Sequence, residues 1–242
     1  MNKTALLTVT HDPDGRNTGI FNKVRSELEE IYDSLFITVS AETSPLLTEE
    51  LEDSRFAVRV IPKQGAAHAR RQAVDLGLTG KSQYYHYCDF DRILTWATRH
   101  PEELKKTVNR IRSDYVILGR TAEAFATHPE EWRETEKITN KVCSIELGKE
   151  VDVTAGSCGF SRETAEKLRQ YSEAKMTDAE WPMIASRIAG KNVEYLVCEG
   201  LEYDPHFNSP NRKTTDSDAW LSRLRLSYII SETACRTGKE HA

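Results

Sequence analysis

The chain has 242 residues, of which 38% are hydrophobic and 29% are charged, and its formal net charge is −5 at pH 7. This length suits one large domain or two small ones, and the composition provides for an apolar core and an ordinary polar surface. The acidic balance lacks the basic footprint of a nucleic-acid-binding protein, so we expect no nucleic-acid partner.

The sequence also argues against membrane insertion and secretion. No stretch approaches the roughly twenty continuous apolar residues that a membrane-spanning helix needs. The first apolar run, residues 4–11, is not followed by a small-residue cleavage site and predicts a strand instead of a secretion signal. Five cysteines, an odd number without a CxxC pair, make a complete disulfide framework improbable. We therefore expect a cytoplasmic protein with reduced thiols.

Apolar β-type runs alternate with helical patterns along the whole chain. The first half contains predicted strands over 4–11, 35–43, 56–63 and 83–91, and predicted helices over 20–35, 44–54 and 65–78. The second half contains predicted strands over 114–121 and 192–204, a looser strand–turn–helix region over 151–168, a loop over 209–213, and predicted helices over 100–111, 128–147, 178–190 and 216–236. This alternation favours an α/β sandwich with a largely parallel sheet. We expect a single domain over 1–242, with 211–242 as a helical arm.

Two acids, Asp89 and Asp91, close the fourth predicted strand. Carboxylates are costly to bury, whereas ligands of open α/β sheets bind at the carboxyl ends of the strands. Alternate residues of a strand face the same way, so both side chains are expected to point to one spot. Two hard oxygen ligands with an otherwise open coordination sphere suit Mg²⁺ or Mn²⁺ shared with a phosphate.

Three interpretations of this acid pair compete. It could be a solvated strand end without chemistry. It also resembles the D-x-D-x-T motif of haloacid-dehalogenase-type phosphatases, in which the first Asp is a nucleophile and the second a general acid–base. That motif usually ends the first strand, whereas three strand–helix units precede Asp89, and Arg92 and Ile93 replace its Gly-Thr.

The third interpretation is a resemblance to nucleotide-sugar glycosyltransferases of the GT-A fold, which carry a D-x-D at the end of the fourth strand. Upstream, GAAHARRQAVDLG resembles their G-x-x-x-A-R-N-x-G helix, with Arg71 in place of the usual Asn. Downstream, VTAGSCGFSRETAEKL resembles their small-residue loop, and MTDAEWPMIASRIAGKNVEYL resembles their helix with an acidic pair. The resemblance spans roughly residues 4–204. It implies a Rossmann-like α/β/α sandwich with a mostly parallel mixed sheet, a nucleotide-binding half over 1–95 and an acceptor and catalytic half over 96–210.

The same resemblance implies a metal-dependent transfer of a sugar from a nucleoside-diphosphate sugar. The metal, Mg²⁺ or Mn²⁺, would be held by Asp89, Asp91 and His206. The implied donor-binding residues are Thr10, His11, Asp12, Glu42, Lys63, Arg70 and Asp89. In an inverting reaction, Asp178 or Glu180 would accept the proton of the acceptor hydroxyl, whereas a retaining reaction needs no such base. Gly156, Ser157, Gly159 and Trp181 would line the acceptor side.

Each implied residue also has a structural alternative. Asp178 and Glu180 could complement the dipole of a helix N-terminus, Trp181 could belong to the core, and the glycines could serve a turn. The acceptor is expected to be small or peripheral. A phosphatase that uses Asp89 and Asp91, or a non-catalytic nucleotide-sugar-binding protein, remains the alternative function.

Overall fold

The computed structural model describes residues 4–208 and 215–239. The loop predicted over 209–213 lies outside the described residues, as do residues 211–214 and 240–242 of the predicted arm. No helix within the described ranges is both long and apolar enough to cross a membrane.

A seven-stranded mixed sheet forms the centre of the described fold. Its strands are β1 (Thr4–Thr10), β2 (Ser34–Ser40), β3 (Phe56–Ile61), β4 (Tyr84–Cys88), β5 (Tyr115–Arg120), β6 (Ser157–Ser161) and β7 (Val193–Cys198). Their order in space is β3-β2-β1-β4-β6-β5-β7. Strand β6 runs antiparallel to both of its neighbours, and the other pairs are parallel. The predicted mostly parallel mixed α/β sheet is therefore confirmed.

Helices cover both faces of this sheet. They are α1 (Thr18–Ile31), α2 (Pro45–Glu52), α3 (Ala66–Gly77), α4 (Phe90–Arg99), α5 (Pro101–Arg110), α6 (Ala122–Ala126), α7 (Glu130–Leu147), α8 (Arg162–Tyr171), α9 (Thr177–Met183), α10 (Pro205–Asn208) and α11 (Asp216–Arg236), with a π-helical turn over Ile184–Ile188 after α9. Apolar side chains of α1, α2, α4 and α5 share one core with the sheet, and those of α3, α7, α8, α9 and α11 share the other. The result is the expected three-layer arrangement.

The largest difference from the predicted elements lies at the acid pair. The strand predicted over 83–91 ends at Cys88, and Asp89 caps α4, a helix that the sequence analysis did not predict. The backbone N–H groups of Arg92 and Ile93 both donate to the carbonyl of Asp89 at 3.0 Å. The two acids are therefore not alternate residues of one strand. Asp91 lies in the first helical turn, where the helix dipole favours a carboxylate.

A fully buried histidine of β4 makes stability depend on pH. His86 Nε2 lies 2.9 Å from the Ser157 hydroxyl, which itself donates to the Tyr87 carbonyl, and Nδ1 lies 2.6 Å from the Tyr32 hydroxyl. Burial lowers the pKa of His86 to about 3. An unfolded histidine titrates near a pKa of about 6.5, so below that pH the unfolded chain gains a proton that the folded chain does not bind. Stability is thus lost as the pH falls from about 6.5 towards 3.

We expect His86→Gln to reduce this acid sensitivity. Between pH 7 and pH 5 the buried histidine should remove about 2 kcal/mol of unfolding free energy, at about 1.4 kcal/mol per pH unit below its unfolded pKa. Urea unfolding of both proteins at the two pH values measures the difference. His128, whose pKa burial lowers to about 2, remains in the variant and supplies the residual pH dependence. An unchanged pH dependence in the variant would contradict the role given to His86.

Candidate active site

Asp89 and Asp91 border a chamber of about 200 Å³ beyond the carboxyl end of β4. Its walls come from α3, α4, α7, α9, α11 and the loop before β6. Side chains that line it include Arg70, Asp89, Asp91, Asp178 and Arg223. Elements that are distant in the sequence therefore bring acids and guanidinium groups to one place.

Arg70 of α3 is the central cation of this chamber. It is 7% exposed, and its Nη1 donates to Asp178 Oδ2 at 2.8 Å and to Thr177 Oγ1 at 3.0 Å. Its Nη2 donates to Asp89 Oδ2 at 2.9 Å. Burial alone would lower the pKa of Arg70, but the charges of Asp178 and Asp89 raise it well above its ordinary value. Arg70 thus stays charged and connects β4 with α9.

Asp91 differs from Asp89 in forming no ion pair within the part of the chain that the structure describes. Asp89 is paired with Arg70 and also accepts from the Tyr87 hydroxyl. Asp91 accepts from Asn208 Nδ2 at 2.8 Å, and within the described ranges no cationic side chain forms an ion pair with it. Burial raises the pKa of Asp91, and the charge of Asp89 adds to this, against the nearby Arg92. Such a carboxylate would be stabilised by a bound cation.

Gly156 fits directly against the acid pair. Its φ is +73°, and a Cβ atom there would lie 2.7 Å from Asp89 Oδ2. Its carbonyl accepts from the Asp89 N–H at 3.1 Å. Gly156 was predicted on the acceptor side, and it borders the chamber. Because Gly156 has no side chain, the Asp89 carboxylate can pack directly against its backbone.

The other three residues predicted on the acceptor side are largely built into the core. Ser157 is bonded to His86, and Gly159 lies where a Cβ would come within 3.0 Å of Ile111 and Val116 side chains. Trp181 is 2% exposed and packs edge-on against Tyr87. Ser157 and Trp181 also border a cleft of about 20 Å³ beside Asp178, which has room for a water molecule but not for a sugar. Packing therefore accounts for Gly159, Ser157 and Trp181.

The two predicted base candidates lie in different surroundings. Glu180 is 1% exposed and accepts from the backbone N–H groups of Glu173 and Ala174, each at 2.6 Å, and from the Ser172 hydroxyl. These bonds use its carboxylate to hold the loop before α9, away from the chamber. Only Asp178 borders the chamber, and it is paired with Arg70. The two acids of this segment, which Ala179 separates, therefore have different roles in the structure.

Five of the seven predicted donor-binding residues lie at or just beyond the ends of β1, β2 and β3, whereas Arg70 and Asp89 border the chamber. Thr10, His11, Asp12 and Lys63 line an open crevice of about 660 Å³, which adjoins the chamber at Asp91. Lys63 Nζ lies 3.0 Å from Glu42 Oε2, which brings Glu42 to the same edge. The ends of three neighbouring strands therefore form one continuous surface leading to the acid pair.

Within this crevice, His11 and Asp12 have distinct environments. His11 is exposed, with Nδ1 3.1 Å from the Ser40 hydroxyl. Asp12 is 6% exposed, and its carboxylate accepts from the backbone N–H groups of Arg16 at 3.1 Å and Asn17 at 2.8 Å. These bonds hold the turn that begins α1, so Asp12 shapes the crevice, whereas His11 is accessible to a ligand.

His206 does not join the acids. It is exposed in α10, its N–H donates to Asp204 Oδ1 at 2.8 Å, and its carbonyl accepts from Arg16. Over 4–208 and 215–239, no group of three or more His, Cys, Asp or Glu side chains is arranged to hold a metal ion. The structure thus does not support the predicted third metal ligand. Asn208, two residues later, contacts Asp91 instead, and no local sequence pattern pointed to it.

Solved structures of other proteins share this fold. Structures of glucosyl-3-phosphoglycerate synthase from Mycobacterium tuberculosis resemble it. Its complex with Mn²⁺, UDP-glucose and phosphoglyceric acid has a TM-score of 0.64 at 14% identity, and the match covers 97% of this chain and 80% of that chain. Its complex with Mn²⁺, UDP-glucose and glycerol 3-phosphate has a TM-score of 0.63 at 12% identity, with the same coverage. No protein-family model and no curated protein matches the chain in sequence. The likeness confirms the predicted GT-A fold.

Proposed function

We propose that the chain is a glycosyltransferase that moves a sugar from a nucleoside-diphosphate sugar to an acceptor, with a divalent cation beside Asp89 and Asp91. One observation carries this proposal: the acid pair lies in a chamber that adjoins the crevice at the ends of β1 and β3. Nucleotides bind at this edge of open α/β sheets. The crevice would hold the nucleoside, and the chamber would hold the sugar.

The residues present fit Mg²⁺ or Mn²⁺. Carboxylate oxygens are the ligands that these cations prefer, and Asp91 is a desolvated carboxylate without an ion-pair partner in the described part of the chain. The similar enzyme was crystallised with Mn²⁺ and UDP-glucose, which agrees with such a site. A cation held there would act as a Lewis acid on the diphosphate leaving group. The chain's own contribution is to hold Asp89 through Arg70 and Gly156.

The surroundings of Asp178 favour a reaction that does not use it as the base. Asp178 borders the chamber, and its Oδ2 accepts from Arg70 Nη1 at 2.8 Å. A carboxylate oxygen held by a guanidinium is poorly placed to receive the proton of an acceptor hydroxyl. We therefore expect Asp178 to position Arg70, and we favour retention at the sugar centre over inversion.

The phosphatase alternative gains no support from the geometry. Its nucleophile would be Asp89, whose carboxylate is paired with Arg70 and hydrogen-bonded to the Tyr87 hydroxyl. A nucleophile engaged by two donors is poorly placed to attack a phosphoryl group. The non-catalytic nucleotide-sugar-binding alternative shares the same site and differs only in turnover.

A thermal-shift screen of UDP, GDP, ADP and their sugars, with and without Mn²⁺, tests the proposal. We expect one nucleotide at about 100 times its Kd to add about 2.7 kcal/mol of stability, which raises the Tm by about 5 °C or more, and only with Mn²⁺. Release of the nucleoside diphosphate should then follow with a suitable acceptor. Phosphoglyceric acid and glycerol 3-phosphate, present in the similar structures, are the first to try. Absence of any metal-dependent shift would contradict the proposal, and binding without release would indicate a binding protein.

A further inference from the structure

We infer that Arg223 of α11 contacts the diphosphate of the donor, so that the C-terminal helix, predicted only as a helical arm, completes the active site. This inference rests on the proposed function and specifies how the chain itself neutralises the leaving group. It concerns a residue that none of the sequence motifs included.

Arg223 lies at the junction of the chamber and the crevice. Its side chain lines both the chamber and the crevice, as does that of Asp91, so both residues lie where the two spaces meet. The diphosphate of a nucleotide sugar connects its nucleoside to its sugar. If the nucleoside occupies the crevice and the sugar the chamber, the diphosphate passes this junction. Arg223 is therefore placed at the leaving group and not at the acceptor.

The packing of α11 fixes this position. One turn beyond Arg223, the Ser227 hydroxyl donates to the Thr135 carbonyl at 3.0 Å and accepts from the Thr139 hydroxyl at 2.8 Å. These buried bonds set the register of α11 against α7. The Arg223 guanidinium lies 3.2 Å from the ring centre of Trp132, also in α7. The side chain is thus oriented before any ligand arrives.

The charge of Arg223 is incompletely balanced within the protein. Its side chain is 18% exposed, and the only carboxylate within 4 Å in the described part of the chain is Glu136, at 3.9 Å. Glu136 lies closer to Arg120, at 2.8 Å. Burial lowers the pKa of Arg223 to about 10, and the charge of Arg92 acts in the same direction against Glu136. An anion at this junction would relieve that cost.

Arg92 strengthens the same preference. It is 8% exposed, its guanidinium lies 5.9 Å from the ring centre of Trp132, and its Nη1 donates to the Glu202 carbonyl at 3.1 Å. Two guanidinium groups therefore approach one indole beside Asp91. Planar guanidinium groups bind phosphate oxygens in a bidentate manner, which suits a diphosphate better than a neutral sugar.

Calorimetric titration of inorganic pyrophosphate in the presence of Mg²⁺ tests the inference without a choice of base. We expect Arg223→Gln to raise the Kd at least tenfold and Arg223→Lys to raise it less, because lysine keeps the charge but loses the planar fork. Arg225→Gln, an exposed arginine two residues along the same helix, is the matched control and should change the Kd less than twofold.

The outcomes separate the two claims. If the wild-type protein binds pyrophosphate and Arg223→Gln binds it equally well, the role of Arg223 is overturned while the proposed function stands. If the wild-type protein binds no pyrophosphate with Mg²⁺, the proposed function fails and the inference fails with it. Thermal melting shows whether each variant is folded. If Arg223→Gln is not folded, Arg223→Lys still tests the role of Arg223.

Discussion

Replacing Asp91 with alanine is expected to abolish the metal-dependent part of nucleoside-diphosphate binding while leaving the fold intact. Asp91 has no ion-pair partner in the described part of the chain, and burial together with Asp89 raises its pKa. Loss of a direct metal ligand should weaken the metal-dependent affinity by about 100-fold or more, since even supporting groups around a metal matter by about 10–100-fold. Because burying this carboxylate is costly, the variant should melt no lower than the wild-type protein.

Calorimetric titration of the selected nucleoside diphosphate, with and without Mn²⁺, measures this effect. Asp91→Asn keeps the shape of the side chain and should lose most of the same affinity, because the charge is removed. Asp14→Ala removes an exposed carboxylate from the adjoining crevice and serves as the control, with an expected change below about threefold. Full Mn²⁺-dependent binding by Asp91→Ala would refute the assignment of the acid pair.

Replacing Arg70 with alanine is expected to cost about 3 kcal/mol of unfolding free energy, because it leaves the largely buried carboxylate of Asp178 and the half-buried carboxylate of Asp89 without their counter-charge. Arg70 donates to both Asp89 and Asp178, and it is 7% exposed. Urea unfolding measures the loss. Turnover should also disappear, since Asp89 would no longer be held beside Gly156.

The neighbouring arginine offers a matched control for this variant. Arg71 follows on the same helix, and its Nη1 donates to the Ala174 carbonyl at 2.9 Å. Among the described residues it forms no ion pair. Arg71→Ala should cost only about 1 kcal/mol. Adding Asp178→Asn to Arg70→Ala should recover part of the stability, because one unpaired charge is removed. If Arg70→Ala costs no more than Arg71→Ala, the charge network does not have the importance assigned to it.

The sheet was predictable because its parallel strands are buried on both faces and therefore appear as short apolar runs. The boundary between β4 and α4 was not. Asp89 is a residue type favoured at helix N-caps, but no Gly or Pro separates it from the apolar residues on either side. Phe90, Ile93 and Leu94 continue the apolar run of β4, so the change from strand to helical periodicity extends over too few positions to be recognised. Both acids border the same chamber, although the strand geometry from which this was predicted was wrong.

Residues of the candidate site were predictable only where they belong to one of the motifs that resemble the glycosyltransferases, either at the end of a strand or within a helix. Arg70, Asp89, Asp91 and Asp178 meet because the ends of their elements are neighbours at one edge of the sheet. Asn208 contacts Asp91 across 117 residues, and no local spacing encodes such a contact. Glu180 shows the reverse case, because it lies in a segment that resembles the motif while its carboxylate accepts hydrogen bonds that hold a loop.

The most direct test is a crystal structure of the protein with Mn²⁺ and the nucleoside diphosphate selected by the thermal-shift screen, with the anomalous signal of manganese used to locate the ion. We expect one manganese in direct contact with the Asp91 carboxylate and with the diphosphate, and the nucleoside in the crevice beside His11 and Lys63. A bound nucleotide whose manganese lies away from Asp89 and Asp91 would refute the proposed metal site.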